Sequence, residues 1–178
     1  MNEASHPTKR EVLQLINSRQ SLELATASGN AIPFASYAPY VYGGNMRFFV
    51  LLSDLAQHTR NLKHNLNASV MIIEDENQAA NLFARERFSA HCQVTKHARN
   101  TAEFTLWTER YKARFGSIVD TLTQLADFNL YSLAATEATY IRGFGQAYRI
   151  SGSDMAIIEH ISNPAANNSG KISKENNS

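Results

Sequence analysis

The apolar residues of this chain change period several times, and each change marks an element. Val12, Leu13 and Ile16 share a helical stripe behind Thr8, Lys9, Arg10 and Glu11. Thr followed three places later by Glu has the form of a capping box, so a short N-terminal helix is predicted from Thr8. From Ser21 the period drops to two: Leu22, Leu24 and Thr26 alternate with Ser21, Glu23 and Ala25. The turn signal Ser28-Gly29-Asn30 then makes a hairpin with a second strand over 32–38. After Gly43-Gly44-Asn45, the nearly continuous apolar run Met46-Arg47-Phe48-Phe49-Val50-Leu51-Leu52 predicts a central strand covered on both faces.

Ser53 or Asp54 is placed to cap a helix over 55–66, with a strand over 68–73 and a polar stretch over 74–78 after it. A further strand is predicted over 87–95. Asn100, with Glu103 three residues on, opens a helix to about 115 whose stripe is Phe104, Trp107 and Tyr111. Two closing strands follow at 128–133 and 139–144, the second continued by 146–150 beyond a Gly-marked bend. Short strands with scattered helices, and no regular strand-helix alternation, predict a β-rich α+β fold, a small antiparallel barrel with flanking helices. The expected organisation is a single domain over 1–162 and a flexible tail over 163–178 rich in Asn, Ser and Lys.

Charge narrows the possible partners. Lys and Arg number 17 against 16 Asp and Glu, a net charge of +1 among 178 residues, which predicts neither nucleic acid nor an anionic membrane as partner. The longest apolar runs, such as Phe48-Phe49-Val50-Leu51-Leu52, fall far short of the ~20 residues of a membrane helix. The first residues have no apolar signal core, and the single Cys92 can form no internal disulfide, so a reducing cytoplasm is the expected compartment.

Familiar catalytic signatures are missing: there is no Gly-x-Ser-x-Gly elbow, phosphate loop or His-Glu-x-x-His pair, and no catalytic residue is assigned. Gly143-Phe144-Gly145-Gln146 reads as a bend between strands. His91 and Cys92 point to opposite sides of a strand, which makes Cys92 a packed residue. His58 and His64 lie ~120° apart around a helix and cannot chelate one ion together. Arg60, Lys63 and His64, at i, i+3 and i+4, put two cations and an imidazole on one face, as a phosphate or carboxylate ligand requires; the alternative is a solvated face. Arg85 and Arg87 point to one side of an extended segment, where they either grip a pair of carboxylates or pair with Glu74, Asp75 or Glu76.

Six blocks in order complete the picture: Ser36-Tyr37-Ala38-Pro39, Ala56-Gln57-His58-Thr59-Arg60-Asn61-Leu62, Met71-Ile72-Ile73-Glu74-Asp75-Glu76, Leu82-Phe83-Ala84-Arg85-Glu86-Arg87, Arg114-Phe115-Gly116 and Gly143-Phe144-Gly145-Gln146-Ala147-Tyr148. Together, over roughly 21–153, they resemble the haem-utilisation proteins of the HutZ/HugZ type. The resemblance implies a split β-barrel of the pyridoxamine-phosphate-oxidase-like kind, a homodimer, and a small-molecule cofactor at the subunit interface. It implies haem binding for intracellular haem utilisation, with oxidative opening of the porphyrin to release iron. Arg85 and Arg87 match the segment that approaches the haem propionates, and Asp127 matches an acidic residue that supports the proximal histidine.

One position departs from the pattern. The family places its iron-ligating histidine just before a Lys-Ile-Ser sequence; here Lys171-Ile172-Ser173 is present, but Ser169 stands where the histidine is expected. A hydroxyl is a poor substitute for imidazole. His160, nine residues upstream, is the candidate replacement as metal ligand, against a plain solvated histidine of a terminal helix. Two other readings stand beside haem. One is an FMN-dependent oxidoreductase whose flavin phosphate is held by Arg60, Lys63 and His64; the other is a cofactor-free binding module.

Overall fold

In the computed structural model the described residues are 6–162. The chain runs α1 (Pro7–Ser18), β1 (Ser21–Ala27), β2 (Pro33–Pro39), β3 (Val41–Tyr42), β4 (Arg47–Ser53), α2 (Gln57–Leu62), β5 (Asn67–Ile73), β6 (Arg87–His97), α3 (Ala102–Phe115), α4 (Ile118–Gln124), β7 (Phe128–Gly143), β8 (Gln146–Ser151) and β9 (Ile157–His160). Among the described residues the nine strands make one antiparallel sheet in the order β2-β1-β5-β6-β7-β4-β3, with β8 and β9 added beside β7.

The order itself requires curvature. β2 and β3 stand at opposite ends of that path, yet only Tyr40 separates them in sequence. The two ends must meet at Tyr40, which rolls the sheet into a split barrel. Tyr40 is fully buried, its hydroxyl donates to the carbonyl of Ile16, and its ring packs edge-on to Phe48. Leu22, Leu24, Phe48, Val50, Val70, Phe88, Leu133 and Tyr140 fill the interior, closed on one side by Val12, Leu15 and Ile16 of α1.

β4 is buried on both faces, as its unbroken apolar run predicts. Phe48, Val50 and Leu52 enter the barrel, while Phe49 and Leu51 lie under α3 and α4 with Phe104, Trp107, Tyr111 and Val119. β7 spans both layers. One edge pairs with β6 along nearly its whole length; the other pairs first with β4 and then with β8.

Several boundaries differ from expectation for identifiable reasons. Pro7 occupies the first helical position, so the cap falls on His6, whose Nδ1 accepts from the Thr8 amide at 3.3 Å; Thr8 itself is buried inside α1. The helix expected over 55–66 shrinks to Gln57–Leu62 because Ser53 and Asp54 are engaged elsewhere. Ser53 Oγ donates to Asp127 at 2.5 Å, and the Asp54 amide donates to the Asp127 carbonyl at 2.8 Å.

The two closing strands are one strand, β7: the stretch from Ala134 to Ala138 weakens the apolar pattern, and the strand passes through it with a register shift against β6. Residues 146–150 do not continue that strand but fold back against it as β8, turned by Gly145 at φ +67°. The short α4, β3 and β9 were not expected. No helix among the described residues is long and apolar enough to cross a membrane. The expected tail over 163–178, with Ser169, lies outside the described residues.

Candidate functional site

Along β1, β5 and β6, residues turned into the barrel alternate with residues turned outward. One row of outward residues crosses the sheet: Ala35 pairs with Ala25, Ala25 with Ser69, and Ser69 with His91. At its end is a β-bulge. Ala90 pairs with Ala138 and Cys92 with Ala135, so Thr136 and Glu137 together oppose the single His91. Small side chains along this row leave a hollow. A cavity of about 920 Å³ lies over β1, β5, β6 and β7. A second, of about 520 Å³, continues it past Ala25, Ser69, His91 and Thr136. Four adjacent strands at ~4.8 Å spacing make this trough about 14 Å wide.

Two cationic or basic groups serve the trough. At one end Arg85 is held from behind: its Nε donates to the Glu74 carbonyl at 3.0 Å, and Nη2 donates to the same oxygen. Its Nη1 meets Glu76 Oε1 at 3.3 Å, and that Glu76 side chain is 71% exposed. So exposed a pair contributes only ~0 to 1 kcal/mol, and Nη1 can exchange it for a carboxylate in the trough. In the middle stands His91, exposed, with Nδ1 2.7 Å from Ser69 Oγ. Three carboxylates also line the trough: Glu76 meets Arg85, Glu137 is paired with Arg149 at 3.0 Å, and Glu23 has no ion-pair partner among the described residues.

The other residues singled out from the sequence lie elsewhere. Arg60 folds back on its own helix, donating to the Leu55 carbonyl and to Gln57 Oε1. Lys63 sits at the end of α2 with Nζ 3.1 Å from Asp54 Oδ1, a pairing that holds the Asp54 carboxyl below the usual range. His64 is exposed beyond the helix end. Arg87 donates to the Arg85 carbonyl at 3.0 Å and so supports the segment that carries Arg85. Asp127 ties the end of β4 to the start of β7 through Ser53. His160 belongs to an exposed strand, not to a helix; its Nε2 lies 3.0 Å from the Gly145 carbonyl, and its ring is edge-on to Tyr148. Of these residues Arg85 alone lines the cavity.

His91 is the residue that sequence reasoning passed over. It was weighed only against Cys92, which does point inward and is buried, its thiol pushed up to about 12 by burial. Strand alternation already put His91 outward. The signal lacking was the register that sets Ser69 beside it and the bulge opposite. Among the described residues no cluster of three His, Cys, Asp or Glu could hold a metal ion by itself.

The sequence profile of pyridoxamine 5'-phosphate oxidase matches residues 8–142. The chain belongs to the pyridoxamine 5'-phosphate oxidase family. It is 38% identical to the heme oxygenase HutZ of Vibrio cholerae serotype O1 over 151 residues, 85% of either chain. The crystal structure of Vibrio cholerae HutZ, there called a heme storage protein, superposes with a TM-score of 0.72 at 35% identity, covering 75% of this chain and 94% of that one. Campylobacter jejuni ChuZ superposes with a TM-score of 0.78 at 27% identity, covering 88% of this chain and 64% of ChuZ. A heme binding protein of Mycobacterium smegmatis shares the fold, with a TM-score of 0.73 at 20% identity over 83% of this chain and 59% of that one. The split barrel of this family is therefore the fold, as the strand pattern predicts.

Proposed function

We propose that the trough binds haem and that the protein serves intracellular haem utilisation in the cytoplasm. One observation carries the reading. A single cavity combines a broad floor of small side chains, a guanidinium anchored at its end, and an imidazole at its centre. A flat, largely apolar ring with carboxylate arms and a metal that takes nitrogen donors needs those three features. HutZ is called a heme oxygenase in one place and a heme storage protein in another, and both roles begin with the binding step proposed here. The reactive chemistry of iron and dioxygen belongs to the bound group, while the chain supplies orientation and electrostatics.

Flavin is the less supported reading. Its phosphate was to be gripped by Arg60, Lys63 and His64, but Lys63 is matched by Asp54, Arg60 is turned onto its own helix, and none of the three lines the trough. A second copy of the chain completes the proposal. Leu82 and Phe83, on the 3₁₀ turn just before Arg85, are 63% and 89% exposed, and burial against a partner protomer would remove that apolar surface from water.

The test is a haemin titration of the purified protein beside FMN, with the mass in solution measured by light scattering. The expected result is a saturable Soret band on a dimer, with no retained flavin. An unchanged haemin spectrum would remove the reading, and FMN saturation in its place would install the oxidoreductase.

A further inference from the structure

The resemblance leaves the iron without its usual ligand, because Ser169 carries no imidazole. All six histidines fall within the described residues, and five of them are not among the residues that line the trough, although His58 is bonded to one that does, Ser36. His6 caps α1. His58 shares a hydrogen bond with Ser36 at 3.0 Å, with its ring outside the lining. His64 lies beyond α2, also outside the lining. His97 is engaged at both nitrogens, 2.9 Å from Ser132 Oγ and 3.3 Å from Glu103 Oε2. His160 meets the Gly145 carbonyl. His91 alone lines the cavity.

Resting on the haem reading above, we propose that His91 supplies the axial nitrogen to the haem iron, with Ser69 as its positioning residue. An iron-ligating imidazole needs one nitrogen free and unprotonated and its other N–H held by an acceptor that fixes ring and tautomer. Ser69 Oγ lies 2.7 Å from Nδ1, and the hydroxyl can accept the Nδ1 proton. Nε2 then carries the lone pair and has no hydrogen-bond partner among the described residues. The backbone supports the same use. A bulge presents two residues, Thr136 and Glu137, opposite His91, and Ala25, Ala35 and Ser69 keep the neighbouring floor low. Glu137, the nearest carboxylate in that register, is turned to Arg149 at 3.0 Å.

The experiment compares haemin complexes of wild type, His91→Ala, His91→Tyr, Ser69→Ala and His160→Ala by absorption, electron paramagnetic resonance and resonance Raman spectroscopy. Wild type is expected to show an imidazole-ligated iron. His91→Ala should lose that signature, and added free imidazole should restore it. Its loss of affinity should exceed the roughly 10- to 100-fold typical of losing an orienting partner, the range expected for Ser69→Ala. His91→Tyr should bring in a phenolate charge-transfer band, a gained signal that misfolding cannot produce. His160→Ala should match wild type. If His91→Ala binds haemin with unchanged spectrum and affinity, or if His160→Ala loses the imidazole signature instead, the assignment is overturned while haem binding stands. If wild type shows no Soret change, the haem reading itself fails.

Discussion

The guanidinium of Arg85 is bound twice to the backbone carbonyl of Glu74, through Nε at 3.0 Å and through Nη2. This clamp leaves Nη1, which meets only the exposed Glu76 carboxylate at 3.3 Å, as the nitrogen that can turn to a ligand, whereas Arg87 spends its Nη1 on the Arg85 carbonyl at 3.0 Å. The two arginines should therefore differ in a haemin titration, although the sequence treats them alike. Arg85→Ala is expected to weaken binding by ~1.5 to 3 kcal/mol, as for a lost hydrogen bond to a charged group. Arg85→Lys should recover only part of this, because one ammonium cannot hold Glu74 and a carboxylate together. Arg87→Ala should change affinity by under about 0.5 kcal/mol. Equal losses for Arg85→Ala and Arg87→Ala would place the carboxylate contact elsewhere.

The strands were legible because alternation and apolar runs are local signals: Leu22, Leu24 and Thr26 face inward as read, and Phe48 to Leu52 lies under cover on both sides. Helix ends were less legible. Ser53 and Asp54 have capping side chains, but here the Ser53 hydroxyl and the Asp54 amide link to Asp127 and the Asp54 carboxylate pairs with Lys63, ties that sequence spacing does not encode. The candidate site was legible in part. Arg85 could be named from its segment, whereas His91 becomes significant only through cross-strand pairing with Ser69 and a bulge in β7, features of register between distant segments. The cationic face of α2 had the right spacing, but its helix is too short and its lysine already matched by Asp54.

Gly43 is an unobtrusive position with a large expected effect. The rings of Phe49 and Trp107 stack with centroids 3.6 Å apart, tying β4 to α3. A Cβ on Gly43 would come within 2.6 Å of Phe49 Cε2 and 2.8 Å of Trp107 Cη2, and both rings are buried. Gly43→Ala should therefore destabilise by ~1 to 3 kcal/mol through overpacking, read as a lower urea midpoint with an unchanged slope. A midpoint equal to wild type would mean that the stacked pair shifts without cost.

Cys92 should be chemically silent in the folded protein. Its side chain is buried among the barrel residues, and loss of solvation pushes its thiol up to about 12, so the reactive thiolate is nearly absent near pH 8. A chromogenic disulfide reagent is expected to react only at the rate of unfolding, and rapidly in denaturant. Fast stoichiometric labelling under native conditions would show that β6 opens locally.

His58 gives the protein a defined sensitivity to mild acid. Its ring packs between α2 and β2 with Nδ1 3.0 Å from Ser36 Oγ, and burial lowers its pKa below the usual 6.5 by disfavouring the charged form. Above about pH 6.5 the ring is neutral in both folded and unfolded chains, and His58 adds no pH dependence. As pH falls through that value the unfolded chain binds the proton first, so the folded state loses stability until its own, lower pKa is passed, where the loss levels off. Replacing His58 by Gln keeps a hydrogen-bonding partner for Ser36 and removes the titrating group. Between about pH 7.5 and about pH 5.5 the urea midpoint of wild type should drop further than that of His58→Gln. Carboxylates such as Asp54 are common to both proteins and cancel in the comparison. Parallel midpoint curves would show that the His58 ring takes up its proton as readily folded as unfolded.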